Sequence, residues 1–136
     1  MIEVEVLGEE LAPDAPQYGA VRELCELAAQ SRGVADGHVA IEYVSAARIA
    51  ELNDRHRGKA GPTDVLSFPI DGAAPAPPGQ PRELGDVVIC PAHTVDLREA
   101  IVHGMLHLLD MDHETDSGEM LALQDELLKR PHPPNP

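Results

Sequence analysis

The chain opens on an alternation. Ile2, Val4 and Val6 fall on one side of an extended segment and Glu3 and Glu5 on the other, which predicts a strand from Ile2 to Leu7. Pro13 and Pro16 break the chain after this strand. From about Gln17 to Ser31 the period changes: Val21, Leu24, Cys25, Leu27 and Ala28 recur at helical spacing, and Arg32-Gly33 closes the helix. Alternation returns over His38 to Val44, with Val39, Ile41 and Tyr43 set against Ala40 and Glu42. Ser45 is placed to cap a helix that turns Ile49 and Leu52 inward. Val65 to Ile70 predicts a strand whose Pro69 puts it at a sheet edge or marks its end. Residues 71 to 82 are mostly Pro, Gly and Ala and predict a mobile connector that packs no core. Gly85 to Cys90 predicts a short buried strand, stopped by Pro91.

Two helical signals close the chain. Asp96 stands three residues ahead of Glu99, the spacing of a capping box, so a helix is predicted from about Leu97 to Leu109. Leu97, Ala100, Ile101, Gly104 and Leu108 spread over its buried side, and His103 and His107 face a cleft. Asp116 and Glu119 repeat the signal before a last helix with Met120, Leu123, Leu127 and Leu128 inward. Strands alternating with helices and then two helices together predict an α+β fold, a mixed sheet of about four strands with helices packed on it. Residues 1–130 are expected to form one domain, with 131–136 (Pro-His-Pro-Pro-Asn-Pro) a disordered tail.

Composition adjusts this picture in three places. Aromatics make up only 2% of the 136 residues, so the core must be aliphatic. The net charge of −14 argues against a protein that coats nucleic acid through bulk charge, but a small cationic island survives at Arg55, His56, Arg57 and Lys59. Two cysteines, Cys25 and Cys90, are too few for a disulfide framework. With no export segment at the N-terminus and no apolar run long enough to span a bilayer, the chain reads as a soluble protein of a reducing compartment, the cytoplasm.

The chemistry concentrates in His103-Gly-Met-Leu-His107-Leu-Leu-Asp-Met-Asp-His113. His103 and His107 stand one helical turn apart on one face, half of a tetrahedral zinc site. His113 reaches the same point only if the helix stops and the chain turns back, and Asp110 and Asp112 suit such a turn. Three histidines with a fourth position open to water describe a catalytic zinc. A structural zinc ordinarily recruits cysteine, and none lies nearby in sequence. Asp110 and Asp112 fit either of two roles: turn residues facing solvent, or acceptors and ligands at the metal. The spacing also suits metzincin peptidases, which carry a glutamate as base directly after the first histidine. Here that position is Gly104, which permits close helix packing or leaves room for a bulky substrate.

As a whole the stretch resembles the YbeY family of bacterial endoribonucleases, the ribosomal RNA maturation factors, whose hallmark is a His-Gly-x-Leu-His-Leu-x-Gly-Tyr-Asp-His run. His103, Gly104, Leu106, His107, Leu108, Asp112 and His113 match it. Leu52-Asn53, Arg57-Gly58-Lys59 and Pro62 to Pro69 resemble a second signature, and Gly85 to Ile89 a third. The family's Gly-Tyr is Asp110-Met111 here, and the segment between Ile89 and His103 is shorter than usual. The resemblance implies a zincin-like metal helix near the C-terminus. It also implies a zinc-dependent, single-strand-specific endoribonuclease of ribosomal RNA maturation and ribosome quality control. Zinc-bound water would attack an RNA phosphodiester, with one zinc per chain on His103, His107 and His113; three imidazoles also accept nickel or cobalt. The family's essential arginine falls on Arg57, with Arg55 and Lys59 as further phosphate contacts. The implied partners are single-stranded ribosomal RNA precursors and the small ribosomal subunit with its associated factors. The alternatives are a zinc hydrolase of another class, such as a peptidase, and a non-catalytic zinc-stabilised ribosome-assembly factor.

Overall fold

The computed structural model describes residues 1–76 and 78–129. Four strands pair into one mixed sheet: β1 (Ile2–Leu7), β2 (Gly37–Tyr43), β3 (Val65–Pro69) and β4 (Glu83–Ile89), in the order β1-β2-β4-β3. β1, β2 and β4 run parallel, and β3 is antiparallel to β4 at the edge, where Pro69 is tolerated. The helices are α1 (Tyr18–Ser31), α2 (Ala46–Arg57), α3 (Leu97–Leu108) and α4 (Glu119–Lys129). This is the α+β architecture expected from the hydrophobic periods.

The sheet separates two cores. Ile2 and Val4 of β1, Val39, Ile41 and Tyr43 of β2, and Leu84, Val87 and Ile89 of β4 pack with α1, α3 and α4 in the larger core. Val44, Leu66, Val88 and Cys90 pack with Ile49 and Leu52 of α2 in the smaller one. Leu84 and Val87 share a face although three residues apart, because the register slips between His38 and Val39, where Glu83 and then Gly85 take the facing positions. Cys25 and Cys90 are buried, and desolvation pushes the Cys25 thiol up to about 12, so it serves as a small core residue.

Capping uses the side chains foreseen for it. Ser45 accepts from the Arg48 amide, and Asp96 accepts from the amides of Arg98 and Glu99. β4 begins at Glu83, two residues ahead of the expected start, because Glu83 pairs with His38 of β2.

The connector after β3 departs from expectation. Asp71 donates its amide to the Glu83 carbonyl and accepts from the Glu83 amide, Arg82 binds the Ala74 carbonyl, and Ala73 packs against the larger core. The start and end of this loop are therefore laced to β4 and to each other, by backbone groups together with the Asp71 carboxylate and the Arg82 guanidinium, which a count of apolar side chains does not register. The expected tail, 131–136, lies outside the described residues.

Gly104 resolves one of the alternatives left by the sequence. A Cβ there would lie 2.4 Å from Val87 Cγ1 and 3.2 Å from Val65 Cγ2, so the bare backbone lets α3 lie directly on the sheet. Val87 is fully buried, and a branched strand side chain has little rotamer freedom to yield. Gly104→Ala gains about 1 kcal/mol of helix propensity but meets about 1–3 kcal/mol or more of overpacking. The variant is expected to lose stability, read as a lower urea midpoint; an unchanged or raised midpoint would show that α3 can move off the sheet at little cost.

Candidate metal centre

Three histidines converge at the C-terminal end of α3. His103 and His107 project from one face of the helix, and their Nε2 atoms approach to 3.1 Å. His113 returns from beyond the helix, its ring centroid 5.1 Å from that of His103 and 5.3 Å from that of His107. One nitrogen from each of the three rings falls within a span of 4.8 Å.

The return of His113 depends on how α3 ends. The Met111 amide donates to the Leu106 carbonyl and the Asp110 amide to the His107 carbonyl, the bonding of a Schellman motif. That motif needs a left-handed residue, and Asp110 supplies it at φ 69°, alone among the described non-glycine residues. Met111 then folds against the core. Asp112 continues the reversal, its side chain accepting from the Glu114 amide and its carbonyl from the amides of Thr115 and Asp116. Of the two roles open to Asp112, its hydrogen bonds are those of a turn residue.

The groups that orient the rings lie elsewhere. His107 Nδ1 is 3.0 Å from the Met111 carbonyl oxygen, and His103 Nδ1 is 2.8 Å from Oε1 of Gln124 on α4. An acceptor at Nδ1 holds the proton there and leaves a lone pair on Nε2. Two such lone pairs facing each other across 3.1 Å repel unless a cation stands between them. Two tetrahedral zinc–nitrogen bonds of ~2.0–2.1 Å would place their nitrogens ~3.3 Å apart. His113 adds a buried Nδ1 with no partner. Burial first, then the neighbouring His103 and His113, hold His107 below its ordinary pKa, so its ring is neutral and able to bind metal at neutral pH. The side chains thus fit a divalent cation. Neither acceptor was foreseen from sequence. Gln124 did leave a signal: it is a polar residue at an inward position, four after Met120 and three before Leu127.

The site opens into a cleft of ≈ 770 Å³ floored by β3 and walled by the end of α2, the two α3 histidines and the 110–114 turn. Arg57, the last residue of α2, lines it and is the one Arg or Lys to do so among the described residues. Gly58 stops the helix in the left-handed conformation, and Asn53 Nδ2 donates to the Gly61 carbonyl, tying down the loop beyond the helix. Arg55 and Lys59 do not line the cleft; Arg55 instead pairs with Glu51 along α2. Asp64, Asp110, Asp112 and Glu114 make the remaining rim acidic. Ahead of α3, the chain makes a 3-10 turn over Pro91–His93 with the Asp96 cap close behind it.

A family model described as Endoribonuclease YbeY matches residues 10–132. The chain belongs to the YbeY family. A Micrococcus luteus relative named Endoribonuclease YbeY is 38% identical over 96% of this chain and 95% of its own length. A Rubrobacter xylanophilus relative of the same name is 37% identical, covering 93% of each chain. A Thermotoga maritima protein solved in solution superposes with a TM-score of 0.53 at 26% identity, over 93% of this chain and 87% of its own. Among the described residues, no helix is long and apolar enough to cross a membrane.

The left-handed backbone at Asp110 should carry a measurable cost. A left-handed L-residue is strained by about 1–2 kcal/mol, less for Asp than for most. Asp110→Gly is therefore expected to raise stability by about 0.5–1 kcal/mol with zinc content unchanged. Urea unfolding and metal analysis check both, and a destabilised variant would mean that the Asp110 carboxylate contributes more than its backbone strain costs.

Proposed function

We propose that this chain is a metal-dependent, single-strand-specific endoribonuclease of ribosomal RNA maturation and ribosome quality control. Zinc is the proposed metal, one per chain on His103, His107 and His113. One observation carries the reading: three imidazoles prepared to hold a cation share a cleft with Arg57, in a chain that the family model matches over residues 10–132. The relatives are named as endoribonucleases, which makes RNA the substrate class to test first. Residues 1–130 act as one metallohydrolase domain, in the cytoplasm and with the small ribosomal subunit as partner.

In this proposal each side chain has a distinct task. A divalent cation supplies Lewis-acid charge neutralisation and an acidified water. The Met111 carbonyl and Gln124 keep protons on the outer nitrogens of His107 and His103. Arg57 binds a phosphodiester oxygen and stabilises the charge that grows on it in the transition state. The acidic rim repels other phosphates, so RNA affinity is modest and salt-dependent. A peptidase reading finds no support at residue 104: its Cβ direction runs into Val87 and Val65, so a carboxylate base has no room there.

The test is zinc analysis and cleavage of single-stranded ribosomal RNA fragments on the same samples. Arg57→Ala should lose at least ~10²-fold in cleavage while keeping about one zinc per chain, and His107→Ala should lose both. Cleavage retained in Arg57→Ala sinks the role given to that arginine. Hydrolysis of casein, with RNA left intact, would move the protein to another class of hydrolase.

A further inference from the structure

Gln124 sits where α4 presses on α3, 8% exposed, with Met120 and Leu127 buried on the same face of its helix. A primary amide in such a contact costs free energy unless its hydrogen bonds are made, and an apolar residue would pack there without that cost. The bond it makes is specific: Oε1 lies 2.8 Å from His103 Nδ1, on the opposite side of the ring from the Nε2 that approaches His107.

We propose that Gln124 is a positioning residue for the metal: by accepting from His103 Nδ1–H it keeps the His103 Nε2 lone pair turned to the cleft, and so makes α4 a working wall of the metal site. The proposal rests on the three-histidine reading above and extends it to the final helix. An imidazole without a partner at Nδ1 divides between two tautomers, and only the one with a bare Nε2 can ligate there. At 3.1 Å from His107 the wrong tautomer is rewarded, because a proton on His103 Nε2 would be donated to the neighbouring ring and would close the site. The Gln124 oxygen opposes that internal bond. His107 is guarded differently, by a backbone carbonyl that no side-chain substitution removes. His103 therefore depends on a side chain from another element, and its tautomer depends on α4 being docked. By linkage, metal that selects this tautomer also holds α4 down against local opening.

The experiment compares wild type, Gln124→Leu and Gln124→Glu. Zinc affinity is read by chelator competition at pH 7, the His103 tautomer by long-range nitrogen NMR of the metal-free chains, and α4 by hydrogen exchange with and without zinc. Gln124→Leu should bind zinc about 10–100-fold more weakly, lose the Nδ1–H tautomer, and show less zinc-induced protection of α4, while its metal-free form melts close to wild type. Gln124→Glu, which can only accept when ionised, should keep the tautomer and bind zinc at least as tightly as wild type. Equal affinity in wild type and a folded Gln124→Leu overturns the role of Gln124 alone. So does a Gln124→Glu chain as weak as Gln124→Leu. If Gln124→Leu fails to fold, the tautomer in metal-free wild type decides: a proton on His103 Nε2 overturns the proposal. Wild type that takes up no zinc overturns this proposal and the three-histidine reading together.

Discussion

The structure depends on how closely α3 lies on the sheet. That approach exists because residue 104 has no side chain between the helix and Val87 and Val65. Ser67 reinforces it from β3, donating its hydroxyl to the Gly104 carbonyl at 2.8 Å. With α3 seated at this height, the flank beside Gly104 carries His103 and His107 toward the cleft, and the edge strand β3 forms the floor beneath them. A side chain at 104 would lift the helix and move both imidazoles relative to Arg57. Packing and site geometry are here one constraint.

Three separate elements then meet at the metal centre. α3 contributes two rings, the turn that ends α3 contributes the third, and α4 contributes the acceptor behind His103. The turn works because Asp110 accepts a left-handed backbone and because Asp112 closes the next reversal with its own side chain. A local change in any of the three moves nitrogens whose separations a cation reads closely. The two Nε2 atoms at 3.1 Å are unfavourable company on their own, and Nδ1 acceptors on both rings prepare them for a shared positive charge.

Charge is arranged with similar economy. The chain carries −14, and among the described residues the cleft rim has four carboxylates against Arg57. A substrate with many phosphates is therefore not drawn in by bulk attraction. On the proposed reading one phosphate meets one guanidinium, and that guanidinium stands at the end of a helix whose negative dipole end favours a cation there. This arrangement suits recognition of a single phosphodiester more than retention of a long polyanion.

Much of this was written in the sequence because it is local. Strand and helix periods, the Ser45 and Asp96 caps, the four-residue spacing of His103 and His107, and the turn-forming Asp110 each depend on neighbours along the chain. The cluster of three histidines, the edge position of Pro69 and the family resemblance arise from those patterns. Features that depend on distant groups were not legible. The loop from 71 to 82 looked empty because its anchors are hydrogen bonds at its two ends, from the backbone and from the side chains of Asp71 and Arg82, and none of them leaves an apolar pattern in the sequence. Arg55, Arg57 and Lys59 formed one island in sequence, and only the seating of α2 beside β3 put Arg57 in the cleft and turned Arg55 onto Glu51. Gly104 had two meanings until Val87 lay beneath it. Gln124 is 21 residues from His103, and no spacing rule links them. Residue types and short spacings determined that a three-imidazole site could form. Only the packing of α2, α3 and α4 around the sheet decided which arginine faces it and which side chain stands behind its first ligand, because hydrogen bonds and close contacts act through space and not along the chain.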